Sequence, residues 1–263
     1  PHINLLDHSV DLNGLGFGIG SVENLDGLNL EQDLKQTTEL FKGVERVFIV
    51  ACGTSYYAGM VGKYAIEQLS GVPVEVDIAS EFRYRRPIVP DNSLFITISQ
   101  SGETADTLAA LRLAKELGVK TLSICNVKRS TIDRESDGHL YMNAGTEIGV
   151  ASTKAYTSQI VAITLMAIVL AEDQISKRKR LDEIVDSLLD LPDAIRTCLA
   201  LDDKIKELAA DLKDENSLLV FGRGRNYATA VEAALKVKEV SYMHSEGINA
   251  GEMKHGPLAL VDE

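Results

Sequence analysis

Cysteine is scarce in this sequence, and its spacing excludes two classes of protein. The 263 residues contain only Cys52, Cys125 and Cys198, which lie far apart and form no CxxC pair. A zinc ribbon and a disulfide framework are therefore excluded, and the pattern is typical of a reducing compartment. Because histidines with metal-ligand spacing are also lacking, we predict no metal and no other cofactor.

Long apolar runs and an excess of positive charge are lacking as well. No apolar run reaches the roughly 18 residues that a membrane span requires, and the longest, residues 160–171, is predicted to be a buried helix. The net charge of -12 argues against nucleic acid and anionic membrane surfaces as partners, although a local site could still attract an anionic metabolite. We expect a cytoplasmic protein without nucleic-acid or membrane partners.

The chain does contain an alternation of short apolar runs and helical patterns. The runs at 46–51, 93–99 and 120–126 are continuously apolar, which is typical of parallel strands buried on both faces. The predicted fold class is therefore α/β, with three layers (α-β-α) in which a parallel sheet lies between two layers of helices. Ligands of such sheets bind at the carboxyl ends of the strands.

The pattern divides the chain into four predicted segments. We expect a linker or loop at 1–27, a first domain at 28–175, a helical connector at 176–214, and an incomplete second domain at 215–263. The connector is predicted to be two helices broken at Pro192. In the last segment only one strand is visible, followed by one helix.

Three predicted strands end in polar turns that lead into helices: "VACGTSYY", "TISQSGETADT" and "VFGRGRNYA". Free N–H groups and the helix dipole attract anions at such helix starts. In the second turn, Ser99, Ser101 and Thr104 could converge on one phosphate, with Gly102 allowing a close approach. Alternatively, Ser101 caps the helix with Thr104 at position N3. Two such turns on neighbouring strands favour the phosphate site.

The common nucleotide-binding loops do not fit. The sequence has no GxxxxGK[ST] motif, and "GRGRNY" places Tyr227 where a dinucleotide fingerprint has its third glycine. "GLGFGIG" has neither the spacing nor a preceding strand. A small sugar phosphate is therefore favoured over a nucleotide.

Four stretches carry a resemblance to a known family: "ACGTSYYAG", "SQSGETADTL", "GTEIGVASTKAYTSQ" and "GEMKHGPLAL". In this order they resemble the isomerase half of the glutamine:fructose-6-phosphate amidotransferase (glucosamine-6-phosphate synthase) family, which is built from SIS (sugar isomerase) domains. The resemblance covers roughly residues 45–263. It implies an SIS fold followed by an incomplete second SIS unit, with fructose 6-phosphate and glucosamine 6-phosphate as ligands.

The resemblance also implies a set of site residues. Positions that hold the sugar phosphate in the family are matched by Thr54, Ser55, Ser99, Gln100, Ser101 and Thr104. Positions that line the sugar are matched by Val150, Ala151 and Ser152, with Cys52 and Gly53 beside them. Catalytic positions are matched by the carboxylate of Glu239, its basic companion Lys236, and the ring-opening His255, which the family supplies from a neighbouring subunit.

Ketose–aldose isomerisation gives an independent reason for these catalytic residue types. Ring opening suits a histidine, which donates and accepts protons near neutral pH. Moving a proton between adjacent carbons suits a positioned carboxylate. Lys236 and Glu239 lie three residues apart on a predicted helix and share a face, although the same spacing also fits a surface ion pair. His255 alone also fits a solvated histidine.

The resemblance leaves alternatives open. A glutaminase domain would precede residue 1, and a tail with an imine-forming lysine would follow residue 263, so we expect a fragment that is inactive or impaired on its own. The parent enzyme is expected to be a homodimer. A phosphosugar-sensing SIS protein without chemistry and an SIS deglycase are the alternative functions.

Overall fold

The computed structural model describes residues 2–4, 9–11, 39–171 and 178–261. The chain forms two compact units, residues 1–173 and 174–263. The predicted segment boundaries near residues 27 and 175 lie outside the described residues and stay predictions.

The first unit is built on a sheet of five parallel strands. Its spatial order is β4–β3–β5–β6–β7, where the strands are β3 (Arg46–Ala51), β4 (Val74–Ile78), β5 (Ser93–Ser99), β6 (Lys120–Cys125) and β7 (Gly138–Tyr141). A separate antiparallel pair, β1 (His2–Asn4) and β2 (Ser9–Asp11), lies within the stretch predicted as linker or loop. The predicted parallel sheet is confirmed.

Helices cover the sheet in two groups. They are α1 (Gly53–Ser70), α2 (Ala79–Phe82), α3 (Ala105–Glu116), α4 (Thr131–Glu135) and α5 (Lys154–Leu170). Helices α1 and α5 pack against each other, whereas α3 packs against α2 and α4. The predicted three-layer α/β fold is confirmed, and the short helices α2 and α4 were not predicted.

The strands are apolar on both faces because each face meets a helix layer. In β3, Phe48 and Val50 join Phe82 of α2 in one buried cluster beneath α3. Ile49 lies between them in sequence and therefore points to the opposite face, where α1 packs. Burial of each such side chain contributes about 1.5–3 kcal/mol, which explains why these runs are continuously apolar.

The strand order reverses between β3 and β5, and this reversal locates the candidate site. From β3 the chain crosses to β4 on one side and then returns to β5 on the other. The two strands pair in register up to Ala51 and Ile98, so their carboxyl ends lie side by side. In open parallel sheets the crevice at such a reversal is where ligands bind.

The described part of the second unit contains three α-helices and a two-stranded sheet. Its elements are α6 (Arg178–Leu199), α7 (Asp202–Leu212), β8 (Ser217–Gly222), α8 (Arg225–Ser241) and β9 (His244–Asn249), followed by 3-10 turns at Ala250–Lys254 and Pro257–Leu260. In the described part of the chain, no helix combines the length and the hydropathy needed to cross a bilayer.

Two predictions for this unit are wrong. The connector helix does not break at Pro192, which lies inside α6, and the helices separate instead at residues 200–201. A second strand, β9, pairs in parallel with β8. Its sequence "HSEGIN" buries only Ser245 and Ile248, so it lacks the continuous apolar run by which the other strands were predicted.

Close packing of α1 against α5 requires glycine at position 62. A Cβ atom there would lie 2.5 Å from Cγ2 of Ile163, a stiff β-branched side chain on α5. We therefore expect Gly62→Ala to destabilise the protein by about 1–3 kcal/mol in urea denaturation, because a buried helix must shift. The matched control is Lys63→Ala, whose side chain is partly exposed on the same helix and which we expect to be near neutral. Equal stability of Gly62→Ala and wild type would contradict this packing.

Candidate functional site

The first polar turn joins β3 to α1. Cys52 is the N-cap of α1 and makes no side-chain cap hydrogen bond, so the first-turn N–H groups are not satisfied by a capping side chain. Gly53 adopts a positive φ of 54°, a conformation that glycine tolerates best. Thr54 and Ser55 then place two hydroxyls in the first turn of the helix, where an anion would find hydrogen-bond donors.

The second polar turn joins β5 to α3. Thr104, rather than Ser101, is the N-cap of α3, and it also makes no side-chain cap hydrogen bond. Ser101 Oγ instead accepts a hydrogen bond from Glu103 N (3.2 Å) within the turn. Ser99 Oγ accepts from Gly102 N and lies 3.0 Å from Thr104 Oγ1. The alternative that Ser101 caps the helix is therefore wrong, and the start of α3 lacks a capping side chain.

These two segments, residues 52–55 and 99–104, are called the paired turns below. They leave neighbouring strands at the same edge of the sheet, as the phosphate prediction requires. Thr107 of α3 also reaches the first turn, because its Oγ1 lies 3.8 Å from Cys52 Sγ. The structure thus brings together eight predicted residues, none of which carries a charge: Cys52, Gly53, Thr54, Ser55, Ser99, Gln100, Ser101 and Thr104.

Gly102 fixes the shape of the second turn. It has a φ of 67°, and a Cβ atom there would lie 1.8 Å from Ser130 Oγ. Its carbonyl oxygen accepts a hydrogen bond from Ile132 N (3.0 Å). Beneath it, burial raises the pKa of the Cys125 thiol to about 12, so this cysteine is a packed neutral group. Only glycine allows the turn to approach α4 this closely.

Glu103 ties the same turn to the start of α4. Its Oε1 accepts a hydrogen bond from Thr131 N (2.7 Å), and this bond lowers the pKa of Glu103. Glu103 therefore satisfies one of the first N–H groups of α4 while its own backbone belongs to the second turn. The second turn, which leads into α3, is therefore also fixed by a bond to a different helix, α4.

The third candidate segment is the loop before α5. Asn126 holds it through two bonds, since its Nδ2 donates to Gly145 O (2.7 Å) and its Oδ1 accepts from Ala144 N (2.9 Å). At the other end, Glu147 accepts from Ala155 N (3.1 Å) at the start of α5. Lys154 donates to a carbonyl of this loop, that of Thr146 (2.6 Å).

The predicted sugar-lining residues lie at the end of this loop. The side chain of Val150 is fully exposed, whereas Ala151 and Ser152 are half-buried. Ser152 Oγ is buried and has no hydrogen-bond partner among the described residues. A cleft of about 450 Å³ separates this loop from the second turn and is lined by Gln100, Asn126, Val127, Asn143, Gly145, Thr146 and Glu147.

The predicted catalytic residues lie in the second unit. Lys236 Nζ is 2.7 Å from Glu239 Oε2 and 3.5 Å from Glu232 Oε1, so the predicted pairing on one helix face is observed. Glu232 is buried, whereas about a third of the Glu239 side chain is exposed. His255 is exposed after the first 3-10 turn, where its N–H donates to Glu252 O (2.9 Å). Each unit therefore carries one part of the predicted constellation.

A comparison with models of known protein families assigns this chain to a family. The sequence profile of the SIS domain family matches residues 40–169 and 211–263, which is well over half of the chain. The chain belongs to the SIS domain family. The α/β architecture with its parallel sheet agrees with this assignment.

Individual relatives show which enzymes of the SIS family this chain is similar to. This SIS chain is 49% identical over 232 residues to the glutamine--fructose-6-phosphate aminotransferase (isomerizing) of Clostridium tetani, covering 88% of this chain and 38% of the relative. It is 47% identical over 262 residues to the corresponding enzyme 1 of Rattus norvegicus, covering 99% of this chain and 36% of the relative. The chain thus spans little more than a third of the length of these relatives.

A solved structure is similar over the same region. The C-terminal domain of glucosamine-fructose-6-phosphate aminotransferase from Francisella tularensis superposes with a TM-score of 0.85 at 47% identity. The match covers 88% of this chain and 65% of that chain. The predicted resemblance to the isomerase half of this enzyme family is confirmed.

Three supporting residues of this SIS site were not predicted. Glu103 and Thr107 both lie within the quoted "SQSGETADTL" stretch, but only their hydrogen bonds across the fold reveal a role. Gln159 donates from Nε2 to Ser55 Oγ (3.0 Å) over a separation of 104 residues. Among the described residues, no group of three or more His, Cys, Asp or Glu side chains could hold a metal ion.

The lowered pKa of Glu103 generates a pH-dependent prediction. A depressed carboxyl pKa contributes stability above its unfolded value of about 4.3, and that contribution is lost as the pH falls through the folded pKa. We expect Glu103→Gln to be less stable than wild type at neutral pH, with the difference shrinking as the solution is acidified below about pH 5. Urea midpoints measured across this range test the expectation.

The control for this experiment is Glu116→Gln, an exposed carboxyl at the other end of α3. It should leave the urea midpoint near that of wild type at each pH. A Glu103→Gln difference that stays constant between neutral and acidic pH would show that the charge of Glu103 does not hold the turn.

Proposed function

We propose that this chain is the sugar-phosphate-binding isomerase part of a glutamine--fructose-6-phosphate aminotransferase. Its ligands would be fructose 6-phosphate and glucosamine 6-phosphate, and its chemistry a ketose–aldose isomerisation. The named relatives support this proposal over a phosphosugar sensor or a deglycase, since the matches at 47–49% identity carry the aminotransferase name.

The observation that carries the proposal is the pair of helix starts at the strand-order reversal. Helices α1 and α3 begin beside each other without capping side chains, and the residues around them are small and hydroxylated. A phosphate has several acceptor oxygens and a double negative charge, which matches such a set of N–H and O–H donors. The paired turns would therefore bind the phosphate end of the sugar.

Binding at the phosphate end would leave the reacting carbons further from the sheet. The loop with Val150, Ala151 and Ser152 would line the sugar, and the unpartnered Ser152 Oγ supports a polar ligand there. We propose that Gln100 contributes from the second turn, because it also lines the cleft beside that loop. Anchoring of the non-reacting phosphate would orient the sugar carbons for the chemical step.

Proton transfer is assigned to the second unit. We propose that Glu239 moves the proton between adjacent carbons, with Lys236 as its basic companion, and that His255 opens the sugar ring. The ion pair between Lys236 and Glu239 supports the proposal, because it holds this partly exposed carboxylate in one orientation on α8. Homodimer assembly and a cytoplasmic location stay predictions.

Calorimetry with and without the phosphate group tests the proposed ligand class. We expect the chain to bind fructose 6-phosphate at least about a hundredfold more tightly than fructose, because fructose lacks the charged acceptors that several donors would bind. Equal affinity for the two sugars would contradict the proposal.

A single hydroxyl deletion tests the location. Ser101→Ala should weaken fructose 6-phosphate binding by about tenfold, which is typical of one hydrogen bond to a charged group, while the unfolding temperature changes little. Ser187→Ala is the matched control, because Ser187 is exposed on α6 and bonds only to its own helix, at Glu183 O. Unchanged affinity of Ser101→Ala would place the anion elsewhere.

A further inference from the structure

Gln159 is a buried polar residue that the proposed chemistry does not use. It lies on α5, is fully buried, and donates a hydrogen bond from Nε2 to Ser55 Oγ (3.0 Å) on α1. Its other polar atom, Oε1, is buried and has no hydrogen-bond partner among the described residues. A buried glutamine with one unpaired oxygen costs stability, so an apolar residue would be favoured here if packing were its only role.

The bond has a consequence for the Ser55 hydroxyl. A hydroxyl has one proton to donate and two lone pairs to accept with. Since Ser55 Oγ accepts from Gln159, its proton remains to be donated, and no described residue accepts it. Ser55 is the third residue of α1, the helix start that has no capping side chain. The hydroxyl is therefore held as a donor at the place where an anion would bind.

We propose that Gln159 is a positioning residue that orients the Ser55 hydroxyl toward the phosphate of the ligand. It does not touch the ligand itself. This inference rests on the proposed function, because it requires a phosphate at the paired turns. Without Gln159 the Ser55 hydroxyl would be free to rotate. It would then donate part of the time to solvent or to nearby carbonyl groups and not to the phosphate.

A double-mutant cycle tests whether Gln159 acts through Ser55. Ser55→Ala and Gln159→Leu should each weaken binding of fructose 6-phosphate by about tenfold in calorimetry. In the Ser55→Ala background, Gln159→Leu should cost less than about twofold, because the hydroxyl that it orients is already absent. The unfolding temperature of Gln159→Leu should stay at or above that of wild type, since an unpaired buried oxygen is removed.

The control is Met166→Leu, a buried and similarly sized change on the same helix, which should leave the affinity unchanged. If Gln159→Leu does not fold, Gln159→Met provides the same loss of the donor with a flexible side chain. Equal losses of affinity in the wild-type and Ser55→Ala backgrounds, or no loss at all, would overturn the positioning role. Failure of the wild-type chain to bind fructose 6-phosphate would instead overturn the proposed function.

Discussion

The structure depends on one constraint: two helices begin side by side without side chains to cap them. The reversal of strand order between β3 and β5 places the starts of α1 and α3 at the same edge of the sheet. Each start leaves backbone N–H groups that require an acceptor from outside the helix. A phosphate would satisfy several of these groups at once. The proposed anion site would thus follow from the fold itself, and the hydroxyls of the paired turns would add further donors.

Contacts with the start of α4 hold the second turn in shape. Ser130 leaves room at Gly102 for glycine alone, and Glu103 bonds to the start of α4. Asn126 in turn holds the loop before α5 through its amide group. Because these contacts order the backbone before any ligand arrives, binding would lose little further conformational entropy. These contacts would therefore contribute to the affinity for the proposed ligand without touching it.

Sequence patterns predicted those parts of the fold in which burial is continuous. Strands β3, β5 and β6 lie between two helix layers, so their apolar runs are unbroken and easily recognised. Strand β9 buries only Ser245 and Ile248 and was missed for that reason. The cap of α3 was ambiguous because Ser101 has a competing acceptor role within the turn. No local pattern connects Gln159 with Ser55, since the fold alone brings them together.

The paired turns contain no lysine or arginine, and this bears on how an acidic protein could bind an anion. The chain has a net charge of -12, so its carboxylates could form ion pairs with lysine or arginine side chains and compete with an anionic ligand for them. Backbone N–H groups at a helix start cannot turn toward such carboxylates, because the helix fixes their direction. Hydroxyl donors add hydrogen bonds without inviting ion pairs. A site built from fixed dipoles would therefore discriminate phosphate by geometry, and orienting each hydroxyl, as we propose for Gln159, becomes important in the absence of a formal positive charge.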